Sequence, residues 1–187
     1  MRKLVLSVVF ACAACAVPQA NAPEVTKKAE AASVPAAAYA HRTLEALPLA
    51  DFVLVDKSDR LLVVYSGGKA IRAFRGLQFG DAPMGHKRFE GDERTPEGRY
   101  TIDTRNPQSA YHLSLRISYP NARDVAYADA YGRSAGGDIF IHGQPNGLSS
   151  DLRMRGDWTD GCIALSNAEI EELWQLVPDG TPIQIRQ

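Results

Sequence analysis

Cys162 is the one cysteine of this chain outside its first sixteen residues, and His142 stands twenty positions ahead of it, both within Ile139–Asn167 (IFIHGQPNGLSSDLRMRGDWTDGCIALSN). A single thiol with a histidine elsewhere in the domain is what cysteine acyl transfer requires. Imidazole takes the thiol proton, the thiolate attacks a carbonyl carbon, and backbone N–H groups near the sulfur hold the oxyanion. Gly161, directly before the sulfur, lets backbone and substrate approach closely. A free cysteine also packs as a small hydrophobe. Here, however, Asp157, Thr159, Asp160 and Gly161 lead into it as a polar turn rather than a core strand.

The order His142-Gly143, a variable loop, Thr159-Asp160-Gly161-Cys162-Ile163 and then Asn167 resembles the active-site motif of the L,D-transpeptidase (YkuD-type) family. That resemblance implies attack on the peptide bond after meso-diaminopimelate in a peptidoglycan tetrapeptide stem, with release of D-alanine. The acyl group would pass through a cysteine thioester to an amine: a second stem, or a lysine of a peptidoglycan-linked protein. Carried over by position, Cys162 is the nucleophile, His142 the general base, Gly143 the neighbour whose carbonyl orients the imidazole, and Gly161 with Cys162 the oxyanion donors. No cofactor is implied. Two positions depart from the family pattern: Asp160 stands where many members have a second histidine, and Ala164 where many have arginine. Water as acceptor would make the same site a hydrolase. A murein-binding module that keeps the fold without turnover is the reading from a different class, and it requires Asp160 to have disabled the thiol.

The elements that must position these residues read as mostly β, which in this family means a sandwich- or barrel-like fold with one or two short helices. Phe52–Tyr65 (FVLVDKSDRLLVVY) is a hairpin around Asp56–Arg60, Gly67-Gly68 turns again, and Lys69–Phe79 reads as a third strand. Thr95-Pro96-Glu97-Gly98-Arg99-Tyr100 matches the family's Thr-Pro-x-Gly-x-aromatic element, with a strand Tyr100–Asp103. Ser109–Ser118 (SAYHLSLRIS) alternates as a strand and puts His112 and Ser114 on one face, where either would line the site or pack. Ser166–Leu176 is the clearest helix: Ser166 or Asn167 caps it, and Ile170, Leu173, Trp174 and Val177 recur at helical spacing as core. Thr181–Arg186 closes the fold as a strand.

Arg2-Lys3 and the thirteen-residue apolar run Leu4–Ala16 have the layout of a secretion signal, and the run is too short to span a membrane. Cys12 and Cys15 each follow an alanine and resemble a bacterial lipidation site; lipidation at Cys15 is the expectation, cleavage after Ala16 the alternative. Residues 1–16 are thus read as signal, 17–48 as an Ala/Pro-rich tether with a helical turn near Tyr39–Leu47, and 49–187 as the catalytic domain, a common single-domain size. The chain would work in the periplasm, touching a membrane only through that anchor. A net charge of −1 offers no electrostatic case for nucleic acid. His86, His112, His142 and Cys162 contain no short-spaced ligand pair, so no metal is expected.

Candidate substrate contacts follow from charge. Asp81–Arg94 (DAPMGHKRFEGDER) is a charged, Gly-containing segment and a candidate cleft rim, in which Lys87, Arg88 and Arg94 would meet stem carboxylates or simply be solvated. Arg153 and Arg155 lie in the loop between base and nucleophile, where Gly147 and Gly156 would let it move as a lid. Asp157 and Asp160 would steady an imidazolium, read a substrate ammonium, or cap the turn. Asn167 joins Lys87, Arg153, Arg155 and Asp160 as an expected substrate contact.

Overall fold

Period-two alternation builds the sheet. FVLVD and LLVVYS form β1 (Phe52–Asp56) and β2 (Leu61–Ser66), antiparallel, with Val53 opposite Val64 and Val55 opposite Leu62. Those four side chains are fully buried, so one face of the hairpin is core. Asp56 stiffens the turn by accepting from the Ser58 hydroxyl at 2.9 Å and the Asp59 N–H at 3.0 Å. β3 (Lys69–Arg75) pairs with β2. The strand expected to reach Phe79 stops at Arg75, because Gly76 turns the chain at φ 71°.

The remaining strands are β4 (Gly98–Ser109), β5 (His112–Ile117), β6 (Phe140–His142), β7 (Ile163–Ala164) and β8 (Thr181–Arg186). They complete one eight-stranded sheet in the order β3-β2-β1-β8-β4-β5-β6-β7, with β1–β8 and β6–β7 parallel and the other pairings antiparallel. β3 and β7 are its opposite edges, yet the segment after β3 reaches β7. Gln78 N–H donates to Ala164 O at 3.1 Å and Ala164 N–H returns to Gln78 O at 2.8 Å. The sheet therefore curls until its edges share one strap, a partial barrel around Phe74, Phe79, Ile102, Leu115, Ile141 and Ile163. The fold is mostly β, as the strand pattern implied.

Other elements also depart from their sequence reading. The Ser109–Ser118 alternation is not one strand but the tip of a hairpin, since Ser109 ends β4 and His112, at φ 66°, begins β5. A second helix, α1 (Ala122–Ala130), is capped by Asn121, which accepts from the N–H groups of Arg123 and Asp124. It buries only Asp124 and Ala128, so it carries almost no apolar stripe. α2 (Asn167–Leu176) is capped by Ser166, one of the two expected caps, in a capping box with Glu169, and buries Ile170, Leu173 and Leu176. The computed structural model describes residues 48–150 and 152–187, all within one unit, Thr43–Gln187. The leader, the lipidation site at Cys15 or Cys12, and the tether before residue 48 lie outside the described residues.

Candidate active site

β6 and β7 run in parallel with Ile141 opposite Ile163 and His142 opposite Ala164. Cys162 enters β7 beside Phe140, whose backbone N–H points at Sγ from 3.4 Å. Residues two apart on a strand share a face, so His142 and Cys162 open onto the same cleft, a cavity of about 760 Å³ lined by both. His142 Nδ1 lies 2.7 Å from Gly143 O. A carbonyl only accepts, so Nδ1 carries the proton and Nε2 keeps the lone pair a general base needs. Two rings hold the imidazole: Tyr111 stacks on it at 4.6 Å and 29°, and Trp158 meets it edge-on at 5.5 Å and 65°.

The glycines of the motif are required by close approach. Gly161 sits at φ 121°, and a Cβ there would lie 2.5 Å from Arg94 O. A Cβ on Gly143 would lie 2.7 Å from Asn167 Oδ1 and 3.0 Å from Tyr111 O. The nucleophile turn is further set by Thr159, whose hydroxyl donates to Cys162 O at 2.8 Å and accepts from Gly161 N–H at 3.3 Å. That last bond is long, so the Gly161 N–H can be given up to a developing oxyanion.

Burial pushes the half-buried Cys162 thiol up to about 11; the Phe140 N–H opposes this and the Asp160 carboxylate adds to it. Burial likewise holds His142 below its ordinary value, with the Gly143 hydrogen bond opposing. At neutral pH the resting pair is therefore thiol and neutral imidazole, and the thiolate forms as the proton crosses to Nε2. The cleft is acidic. Glu90, Glu93, Asp138 and Asp160 line it, and the lining cation Lys87 is already held by Asp92 at 2.9 Å. Glu93 is pushed above its ordinary value by burial and by the charge and hydrogen bond of Asp160.

Residues 50–185 match the L,D-transpeptidase catalytic domain. This chain belongs to that family. YafK of Escherichia coli (strain K12), which carries the L,D-transpeptidase name, is 30% identical over 96 residues, covering 50% of this chain and 32% of YafK. The helical cell shape determining protein Pgp2 of Campylobacter jejuni is 31% identical at a TM-score of 0.60, covering 76% of this chain and 51% of that one. Bd1075 of Bdellovibrio bacteriovorus is 26% identical at a TM-score of 0.51, covering 75% of this chain and 51% of that one. The chain thus spans about a third to a half of these relatives' lengths.

Within this L,D-transpeptidase domain the remaining expected contacts divide. Lys87 and Asp160 line the cleft, although Lys87 is spent on Asp92. Arg153 does not line it: its guanidinium pairs with Glu169 at the start of α2 and donates to Gly76 O at 3.0 Å. Arg155 is exposed and also off the cleft. Asn167 is buried and off the cleft lining, its Oδ1 accepting from Gln144 N–H at 2.8 Å, so it supports the turn that follows His142-Gly143. Asp157 forms a paired contact with Arg60, 2.7 Å on each oxygen, and caps Phe79 N–H. Ser114 lines the cleft, while His112 points to Glu171 at 2.7 Å. His86 is bound between Asp124 and Glu97 N–H. The loop between base and nucleophile is pinned where Gln78 donates to Met154 O at 2.7 Å and Gln144 accepts from Met154 N–H at 2.8 Å. Tyr111, Trp158, Glu90, Glu93 and Asp138 are among the cleft residues not singled out from the sequence. Only Glu90 and Glu93 had a signal, their place in the charged rim segment.

Proposed function

We propose that this domain breaks the peptide bond after meso-diaminopimelate in a peptidoglycan tetrapeptide stem and transfers the acyl group through a thioester on Cys162. The observation that carries this reading is a half-buried thiol and a tautomer-fixed imidazole sharing one face of adjacent strands in a peptide-sized cleft. His142 Nε2 takes the Sγ proton, the thiolate adds to the carbonyl, and the backbone N–H groups of Gly161 and Cys162 receive the oxyanion. As the tetrahedral adduct collapses, the C–N bond breaks and the imidazolium protonates the departing D-alanine amine. An incoming amine then adds to the thioester, losing its proton to His142, and the thiol is released.

The carboxylates around the thiol support an amine acceptor over water, because they favour a substrate that brings an ammonium. The leader supports periplasmic action, with lipidation at Cys15 as the anchor; palmitate labelling lost in Cys15→Ala tests it. The cell-shape role in Pgp2's name supports a part for this chain in shaping the wall. Muropeptide mass spectrometry after incubation with purified sacculi tests the reaction. New dimers joined between diaminopimelate residues are expected; tripeptides without dimers, or released linked protein, would make water the acceptor. Unchanged muropeptides, with a Cys162 inert to iodoacetamide, would overturn the reading in favour of a binding module.

A further inference from the structure

Among the described residues, two buried side-chain polar atoms have no hydrogen-bond partner: Thr95 Oγ1 and Trp158 Nε1. A buried donor without an acceptor is destabilising and rare in native proteins. Thr95 is fully buried and lies off the cleft, so no ligand reaches it. Trp158 is different: it forms part of the cleft wall beside His142 and Cys162. A phenylalanine would fill much of the same space without leaving an N–H unpaired.

We infer that the indole N–H of Trp158 is a substrate-binding donor, closed off by the Tyr111 ring in the resting enzyme, and that it takes a neutral amide carbonyl of the acyl donor. This rests on the proposed function. Tyr111, His142 and Trp158 form a triangle of rings with centroids 4.6, 5.5 and 5.6 Å apart. Tyr111 is its outer member, 40% exposed against 3% for His142. Its backbone is fixed, since Tyr111 O accepts from Gly143 N–H at 3.0 Å and Tyr111 N–H donates to Ser109 Oγ at 3.0 Å. Opening then needs only the phenol ring to rotate about its side-chain torsions. Trp158 is held in place by its backbone N–H, which donates to Phe79 O at 2.9 Å. The acceptor is an uncharged carbonyl because a carboxylate would enter among Glu90, Glu93, Asp138 and Asp160 with Lys87 already paired. An amide oxygen brings no net charge and satisfies the donor.

The chain has two tryptophans, Trp158 and Trp174. In the full chain carrying Cys162→Ala and ¹⁵N-labelled indoles, titration with a stem tetrapeptide should move the Trp158 N–H resonance downfield to saturation. Trp174, which lies under Arg105 away from the cleft, should stay put. Trp158→Phe should lower the efficiency of Cys162 acylation by the same peptide about five- to tenfold, mainly through KM, the size of one lost hydrogen bond. A loss confined to kcat, with KM unchanged, would mean that Trp158 acts only through the imidazole it packs against and would overturn the assignment. So would a peptide that acylates the wild-type enzyme but leaves the Trp158 resonance unmoved. A peptide that fails to acylate the wild-type enzyme would bring down the proposed function, and this inference with it.

Discussion

Cys162→Ala should abolish acyl transfer and leave the fold intact, and Cys162→Ser should be nearly inactive, because a hydroxyl is a far weaker nucleophile beside the same base. His142→Ala should cost about 10²–10⁴-fold in turnover, the usual worth of general-base catalysis. It should also shift the pH dependence of Cys162 alkylation upward, because the thiol proton then has no Nε2 to cross to. Asp160→Asn should shift it downward, since a carboxylate beside the sulfur opposes the thiolate. Because burial holds His142 below 6.5, the acid limb of kcat/KM should fall with a midpoint under that value. A pH–rate profile with its acid limb above 6.5 would point to another base. That Cys162 and His142 would meet in one cleft was legible because the chemistry admits few residue types. The acidic partners of the thiol were not: Glu93 and Asp138 come from segments distant in sequence, and nothing local says that they meet. Arg153 was read toward substrate for lack of any local sign that Glu169 takes its charge.

Buried amides govern the connection between base and nucleophile. Gln144 Nε2 donates to Leu165 O at 2.6 Å and Gln78 Oε1 at 3.2 Å, while its Oε1 takes Met154 N–H. Gln144→Ala strands the buried Leu165 carbonyl and the partly buried Met154 N–H, so stability should fall by about 1–3 kcal/mol. A lower urea midpoint with an unchanged m-value checks this. Arg153→Ala/Arg155→Ala should leave KM for tetrapeptide unchanged and lower stability by about 1 kcal/mol or less, because the Arg153–Glu169 pair is partly solvated. A raised KM would return these arginines to the substrate. At this scale the strands around Val53–Val64 and the N-cap of α2 were legible, because alternation and caps are local. The Tyr111 hairpin tip was hidden by an unbroken alternation with no Gly, Pro or Asn to mark the turn. α1 was hidden because its buried residues are an aspartate and an alanine.

Across the whole molecule, the curled sheet joins its edges through Gln78 and buries histidines and aspartates whose titration sets its acid stability. Burial holds both His86 and His142 below 6.5, so the unfolded chain takes protons that the folded one refuses. The stability these two histidines contribute is therefore complete above about 6.5 and should decline as pH falls below it, with His86→Gln flattening part of that slope; thermal melts across pH 5–8 check the sign. Asp56, held down by the Asp59 N–H, and Asp157, held down by Arg60, add a second loss as pH falls below 3.8. Edge closure was not legible, because the Gln78–Ala164 pairing joins residues far apart with no covariation in a single sequence. The claim on which everything else depends is that Cys162 carries the acyl group. Acid-quenched intact-protein mass spectrometry after mixing with stem tetrapeptide tests it most directly. An adduct of the peptide less its terminal D-alanine is expected, mapped to Cys162, absent from Cys162→Ala and depleted in His142→Ala. Turnover by Cys162→Ala, or an adduct on any other residue, would contradict it.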